Sequence, residues 1–336
     1  MKIAMTYDLR KDPLYSSLGE EEAAEYDSIE TIEGIENALK KLGHQPERIG
    51  HIQNLVQALA EGKRWDLVFN FSEGRHGRCR ESQIPALLDA YAIPYTFSDA
   101  LTLAYSMDKS LTKRIVSAHG VNTAPFKVVE KMEDLFPLHL PFPLFAKPLS
   151  EGSSIGIHAQ SCIRTPAELK EVCAKLLTQF QQPVLLETYL PKREFTVGII
   201  GTGASAEVIG VMEIVPRPNM TEGGYTLNTK KNYEKYVDYI LVDDAEAQIA
   251  AQQALLAYRV LNCRDAARID FRSDDKDIPQ FLEINPLAGL NPLLSDLVIL
   301  CRLKGIAYDE LIASIVHFAS ERVPQAAKHE LSTAGV

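Results

Sequence analysis

The sequence has few cysteines, and none are spaced to form a redox motif or a zinc site. The five cysteines of the 336-residue chain are scattered, and no two of them follow a C-x-x-C pattern. An odd and dispersed set argues against a disulfide framework and against a structural zinc site. We therefore expect reduced thiols and a cytoplasmic location.

Long apolar runs and an excess of positive charge are also absent. No hydrophobic stretch approaches the roughly 20 residues that cross a membrane. Residues 1–9 have the character of a first strand, because Asp8 and Arg10 end the segment before a signal-peptide core could form. The 35 basic and 45 acidic residues give a formal net charge of −10, which disfavours nucleic acid and anionic membranes as partners. These absences predict a soluble intracellular protein.

The hydrophobic pattern predicts an α/β protein. Residues 2–7 and 67–71 have the character of strands, whereas residues 28–42 and 81–91 have that of helices. Strands that alternate with helices indicate a parallel, doubly wound sheet in the first part of the chain. The chain is too long for one typical core. We expect three units and a flexible tail, at residues 1–103, 104–188, 189–322 and 323–336.

Two carboxylates and an amide stand out in the third unit. Asp270 lies in the segment ARIDF, and Glu283 and Asn285 lie in the segment FLEINP. The charged residues 273–277 between the two segments indicate a hairpin turn. Residues two apart on a strand share a face, so Asp270 can face Glu283 and Asn285 across the hairpin. Three oxygen ligands suit Mg²⁺; the alternative is a hairpin whose acids only face solvent.

A second motif follows the predicted strand at residues 144–147. The segment from Lys147 onwards reads KPLSEGSSIGI. Small residues let main-chain N–H groups approach phosphate oxygens, and Lys147 would add positive charge beside them. The segment lacks the G-x-x-x-x-G-K-[ST] pattern, so it is not a Walker loop. Taken alone, it is equally compatible with a β-hairpin turn.

Together with residues 185–197, these motifs resemble the ATP-grasp superfamily, most closely the D-alanine–D-alanine ligase family. The segment 107–114 is similar to the family's opening of the central domain. The resemblance extends to about residue 320. It implies an α/β ATP-grasp fold, in which a doubly wound N-terminal domain is followed by two α+β subdomains that enclose the nucleotide.

The resemblance also implies the cofactors and the site residues. ATP would bind with two Mg²⁺ ions, with Mn²⁺ as the alternative ion, on Asp270, Glu283 and Asn285. Arg268 matches the arginine beside the reacting carboxylate. Lys230 is a weaker match to a loop lysine near the γ-phosphate, with a solvated surface charge as the alternative. The expected catalytic residues are Arg268, Lys230 and Ser153, and the expected nucleotide ligands are Lys109, Lys147, Glu151, Ser153, Ser154, Glu187, Thr188, Tyr189, Leu190 and Glu194.

The implied function is that of an ATP-dependent carboxylate–amine ligase. Such an enzyme forms an amide or peptide bond through an acyl phosphate and releases ADP and phosphate. The expected partners are small amino-acid or peptide-like substrates, with neither nucleic acid nor membrane, and a homodimer is the candidate assembly. The alternatives are another ATP-grasp chemistry or an ATP-binding protein without turnover.

The substrate side departs from the family pattern. Leu294 takes the position of a serine that holds the second substrate's carboxylate in the family, although Ser295 is adjacent. The loop at 73–81 carries three arginines that could clamp a carboxylate or simply be solvated. An acidic insert lies at 20–25. We therefore expect D-alanine to be a poor substrate and a larger or differently charged molecule to replace it.

Overall fold

Three β-sheets organise the protein. The computed structural model describes residues 1–19, 22–218 and 233–324. Within these residues, each sheet falls inside one of the three expected units. The unit limits themselves stay a prediction, and the first of them, at residue 103, lies inside the helix Ala100–Ser106. No described helix is both long enough and apolar enough to span a membrane.

The first sheet is parallel and has helices on both faces. Its strands β1 (Lys2–Thr6), β2 (Gln45–Gly50) and β3 (Leu67–Asn70) are ordered β2-β1-β3. Successive side chains of β1 enter different cores: Ile3 and Met5 pack in the core shared with helix α1, whereas Ala4 packs in the core of α2 and α3. This is the doubly wound arrangement that the sequence predicts. The helices are α1 (Ile29–Lys41), α2 (Ile52–Ala60) and α3 (Gln83–Ala90).

The second sheet is antiparallel and follows two helices, α4 (Ala100–Ser106) and α5 (Lys109–Ala118). Its order is β4-β7-β5-β6. Helix α6 (Pro166–Phe180) packs on it through Leu169, Cys173 and Leu176. The strands are β4 (Phe126–Val129), β5 (Leu144–Pro148), β6 (Cys162–Ile163) and β7 (Val184–Thr188).

The third sheet is antiparallel and carries the hairpin of acids at one edge. Its order is β10-β9-β8-β11-β12. Helix α7 (Ala245–Val260) covers one face, where its alanines let Phe195, Phe271 and Phe281 of the sheet pack closely. A single helical turn at Tyr233–Tyr236 precedes β10. The strands are β8 (Glu194–Ile200), β9 (Glu207–Pro216), β10 (Val237–Val242), β11 (Ala266–Ser273) and β12 (Pro279–Asn285).

The last two helices return to the first sheet. Helix α8 (Asp296–Leu303) leads to α9 (Tyr308–Ser320), which packs its Leu311 and Ile315 into the core around β1. Val323 also belongs to this core and is 3% exposed. The expected flexible tail is therefore wrong at its first residue, because Val323 has an apolar site to fill. Residues 325–336 lie outside the described part of the chain.

Candidate active site

The hairpin of β11 and β12 presents the expected metal ligands on one face. Asp270 lies directly opposite Glu283, and Arg268 lies opposite Asn285. Because side chains two residues apart on a strand share a face, all four groups lie on the same side of the sheet. The convergence of oxygens expected from the sequence is therefore present, and the ligand role of these residues stays a prediction.

Cations and hydroxyls of the protein contact these carboxylates. Asp270 pairs with Arg268 and accepts a hydrogen bond of 2.9 Å from the Thr196 hydroxyl. The Lys109 ammonium lies 3.3 Å from a carboxylate oxygen of Glu283. Burial opposes the charge of Arg268, but the surrounding carboxylates outweigh burial and raise its pKa. Arg268 is thus held charged beside the acids.

Behind this face, one carboxylate bridges two buried lysines. The Glu187 carboxylate lies 2.6 Å from the Lys113 ammonium and 2.8 Å from that of Lys147. Lys113 also donates to the main-chain oxygen of Phe281 at 2.8 Å. Burial favours a neutral Glu187, but the two lysines outweigh it and lower the pKa of Glu187 to about 2. Burial likewise opposes the charge of Lys147, whose pKa is nevertheless raised by Glu187 and Glu283.

The glycine-rich segment forms an extended loop between β5 and β6. These strands are antiparallel neighbours, so the hairpin alternative is correct in topology, although a long loop replaces a tight turn. Ser153 and Ser154 adopt positive φ values of 48° and 59°. The Gly152 N–H donates to Glu25 at 2.8 Å, and a Cβ at position 152 would lie only 2.6 Å from that oxygen. A side chain at position 152 would therefore have to displace the Glu25 carboxylate where the acidic segment meets the loop.

The segment at residues 188–193, called the link below, connects β7 to β8. The main-chain N–H groups of Thr188 and Tyr189 donate to carbonyl oxygens of the central unit. The buried Thr188 hydroxyl has no hydrogen-bond partner among the described residues. Glu194 accepts from Arg272 at 3.2 Å. The link can therefore offer the Thr188 hydroxyl and the main chain of Leu190 to a ligand.

Two adjoining cavities meet at the hairpin. The first has an empty volume of about 980 Å³ and is lined by Lys147, the loop, the link and Asp270. The second has an empty volume of about 2090 Å³ and extends to the N-terminal unit, with Ser153, Asn285 and Gly289 on its wall. The residues that line both cavities mark the junction, and they are Lys109, Glu151, Gly152, Arg268, Glu283 and Asp296.

The three arginines of the 73–81 loop do not form a carboxylate clamp, which was one of the two alternatives for them. Arg75 donates to a main-chain oxygen at 2.6 Å, and Arg78 pairs with Asp108 at 2.8 Å. Arg80 is buried and pairs with Glu25 at 2.9 Å. None of the three lines either cavity, because acids and carbonyls of the protein already bind their guanidinium groups.

The position at which the family has a serine is Leu294 in this chain, and it lines the second cavity. Leu294 and Ser295 both line this cavity, and Leu294 is 51% exposed. The Ser295 oxygen accepts from the N–H of Asn291 at 2.8 Å, so its hydroxyl remains able to donate one hydrogen bond. Ser295 can therefore supply the donor that Leu294 lacks.

The sequence interpretation missed some residues of the site. Lys113 is fully buried four residues after Lys109 on α5, and two lysines on the buried face of one helix are a signal that could have been used. Asp296 faces Arg268 at 3.8 Å, but nothing in its sequence context distinguishes it from a first-turn acid of α8. Lys230 lies outside the described residues.

Comparison with known proteins agrees with this geometry. Residues 115–317 match the family model described as D-ala D-ala ligase C-terminus. The chain is 32% identical to the D-alanine–D-alanine ligase of Aquifex aeolicus, over 86% of this chain and 94% of that protein. It is also 32% identical to the ligase of Bordetella petrii, over 90% of each chain.

The fold is also similar to that of a solved structure. The crystal structure of D-alanine–D-alanine ligase from Bacillus anthracis complexed with ATP superposes with a TM-score of 0.73, at 21% identity, covering 95% of this chain and 97% of that one. This likeness confirms the ATP-grasp fold. The family model and the curated relatives assign the chain to a family by sequence similarity. The protein therefore belongs to the D-alanine–D-alanine ligase family and is an ATP-dependent ligase that forms carbon–nitrogen bonds.

Proposed function

We propose that the protein joins the carboxylate of one amino-acid-like substrate to the amine of a second, using ATP and Mg²⁺. ATP would occupy the first cavity, and the substrates would occupy the second. The observation that carries this proposal is the junction of the two cavities at Arg268, Lys109 and Glu283. A terminal phosphate and a substrate carboxylate can meet there, beside two cations and a candidate metal ligand.

The donor set fits Mg²⁺. No trio of His, Cys, Asp and Glu side chains placed for a metal occurs among the described residues, so the set depends on the amide of Asn285 together with Asp270 and Glu283. These are oxygen donors, which Mg²⁺ prefers. The Asn285 amide nitrogen is buried without a hydrogen-bond partner among the described residues. When bound, Mg²⁺ neutralises phosphate charge and aligns the phosphates.

The protein's own cations position the reacting groups. Lys147 is fixed by Glu187 at the floor of the first cavity, where its charge would stabilise the phosphates. Arg268 lies at the junction, where it can bind the substrate carboxylate and then the oxyanion that forms when the amine attacks. The main chain near Gly289 lies on the same wall. Phosphoryl transfer needs mainly such positioning and charge neutralisation.

The loop would protect the intermediate. Transfer of the γ-phosphoryl group to a carboxylate oxygen gives an acyl phosphate, and attack by the amine then forms the C–N bond and releases phosphate. Water would hydrolyse the acyl phosphate, so the site must exclude it. Ser154 lines the first cavity, and Ser153 lines the second. We assign the loop the role of a cover.

The substrates are small amino-acid molecules, in keeping with the family. The relatives are named for D-alanine, but the cavity wall of this chain differs at Leu294 and in the 73–81 loop. D-Alanine therefore remains a candidate that we expect to bind poorly. The free cysteines of the described residues favour a reducing cytoplasm, and a homodimer is the assembly we propose.

An isotope experiment tests the reaction path. The carboxylate substrate of an active amino-acid pair is labelled with ¹⁸O and incubated with ATP, Mg²⁺ and the amine. An acyl phosphate predicts one ¹⁸O atom in each phosphate released, because the carboxylate oxygen that attacks phosphorus leaves with it when the amine breaks the C–O bond. Phosphate without label, in a reaction that forms the amide, would exclude this path. A matched reaction with unlabelled carboxylate in ¹⁸O-water controls for hydrolysis.

A further inference from the structure

The wall of the second cavity that belongs to the N-terminal unit is rich in carboxylates. Glu25, Asp27, Glu73 and Glu81 line it, with Glu30 at the exposed end. The cavity is continuous with the reaction centre through the shared junction residues. Whatever substrate reaches Arg268 from this side must therefore lie against these acids.

Some of this negative charge is balanced within the protein. Arg80 pairs with Glu25 at 2.9 Å and lies 3.6 Å from Glu151. Arg10 donates to main-chain carbonyls of the acidic segment and lowers the pKa of Asp27 without abolishing its upward shift. Arg80 therefore balances the negative charge of Glu25, and Arg10 balances part of that of Asp27.

The charges of Glu73 and Glu81 are balanced only in part, by the field of Arg80 and, for Glu81, of Lys109. Neither carboxylate makes a hydrogen bond or an ion pair with a described residue. The cations nearest the junction are bound elsewhere, since Lys109 contacts Glu283 and the Glu151 carbonyl, and Arg268 pairs with Asp270. Two carboxylates on a cavity wall therefore await positive charge from a ligand.

These acids lie close enough together to raise one another's pKa. Burial raises the pKa of Glu73 well above its usual value, and Glu81, Glu25 and Asp27 raise it further, against the lowering effect of Arg80. Burial also raises the pKa of Glu81 to about 7, although Arg80 and Lys109 oppose this rise. A cation bound between the two groups would remove this cost of ionisation.

A neutral amino acid brings only one positive charge, its α-ammonium group. One of the two carboxyl groups would then stay protonated and without a partner, because burial raises its pKa, whereas a second ammonium group would ionise it and pair with it. We propose that the substrate bound against the N-terminal unit is a diamino acid, or a peptide ending in one, whose two ammonium groups are held by Glu73 and Glu81. This inference rests on the proposed ligase function.

The wild-type enzyme gives the first test. Phosphate release and product mass are measured with ATP, Mg²⁺ and matched pairs that differ by one amino group, namely lysine against norleucine and ornithine against norvaline, each as both enantiomers. We expect kcat/KM to be at least 100-fold higher for the diamino acid of each pair. Equal or better use of the neutral partner would overturn the inference while leaving the ligase function intact.

Two variants test whether Glu73 and Glu81 bind the ammonium groups of the substrate. The variant of the acid that holds the second ammonium group, Glu73→Gln or Glu81→Gln, should raise KM for the diamino acid at least tenfold, with kcat and the use of the neutral partner nearly unchanged. The variant of the acid that holds the α-ammonium group should raise KM for both substrates. Glu33→Gln is the control, because Glu33 is exposed on α1 and lines neither cavity. An equal loss for both substrates in both variants would assign the two acids a structural role and refute the proposal.

Binding measurements separate the two hypotheses. Calorimetry with the protein, Mg²⁺ and a non-hydrolysable ATP analogue compares lysine with norleucine without requiring turnover. Preferential binding of lysine supports the assignment of the cavity even if no amide forms, in which case only the ligase function fails. Absence of any preference contradicts the role of Glu73 and Glu81, whatever the turnover.

Discussion

Replacing Lys113 by Met should destabilise the protein and weaken ATP binding together. Lys113 is fully buried and contacts Glu187 and the Phe281 carbonyl. The change in the pKa of Glu187 from 4.5 to about 2 corresponds to roughly 3 kcal/mol of stabilisation. Burial lowers the pKa of Lys113 itself, so the pair as a whole contributes less than this. Because Lys147 still pairs with Glu187 in the variant, we expect the free energy of unfolding to fall by about 2 kcal/mol. This is less than the roughly 3–5 kcal/mol typical of a broken buried ion pair.

A double-mutant cycle measures this coupling. Urea unfolding at pH 7 compares the wild type, Lys113→Met, Glu187→Gln and the double variant, with Lys175→Met as a surface control, since Lys175 is exposed. The double variant should be more stable than the sum of the single losses predicts. Because the folded pKa of Glu187 is depressed, its contribution is present above about pH 4.5 and is lost as the pH falls toward 2. Strict additivity, or a loss independent of pH, would refute this reasoning.

Three further predictions concern activity. Lys147→Ala should raise KM for ATP at least tenfold, because it removes a phosphate partner worth a few kcal/mol in a dry site, on the order of other charge-assisted contacts; unchanged ATP dependence would show that Lys147 only ends a strand. Gly152→Ala should lower kcat/KM about tenfold, since its Cβ would lie 2.6 Å from an oxygen of Glu25, whose carboxylate Arg80 holds at 2.9 Å, whereas a Cβ at Gly210 comes no closer than 3.2 Å to the Lys304 side chain and should be silent. D-Alanine should be a poor substrate at the position bound against Glu73 and Glu81, because its single ammonium group can pair with only one of them, and efficient D-alanyl-D-alanine synthesis would defeat that expectation.

Local patterns explain why part of the fold could be predicted. The hairpin of β11 and β12 is specified by alternation and by a short polar turn, so its register and the pairing of Asp270 with Glu283 follow from nearby residues. Strand β2, Gln45–Gly50, was not predicted because the sequence QPERIG is polar and its strand forms only by pairing with β1. The docking of α9 on the first sheet depends on contacts between distant residues, which periodicity does not reveal.

The candidate site shows the same division. Candidate ligands close together in sequence could be predicted, whereas the partners that fix them come from other elements. Glu187 was predicted to be a nucleotide ligand, which stays a prediction, and the structure adds that Lys113 and Lys147 bind its carboxylate. The charge balance around Arg80 likewise depends on a contact with Glu25, 55 residues away, which makes this arginine part of an internal ion pair.

The central claim is that Glu283 is a metal ligand of an ATP-dependent ligase. Phosphate release coupled to amide formation is measured for the wild type, Glu283→Gln and the control Glu207→Gln, which changes an exposed acid of β9. The account predicts that Glu283→Gln folds with a near-normal melting temperature but loses turnover at every Mg²⁺ concentration tested, while Glu207→Gln behaves as the wild type. Near-normal turnover in Glu283→Gln would contradict the assignment of the hairpin as the metal site.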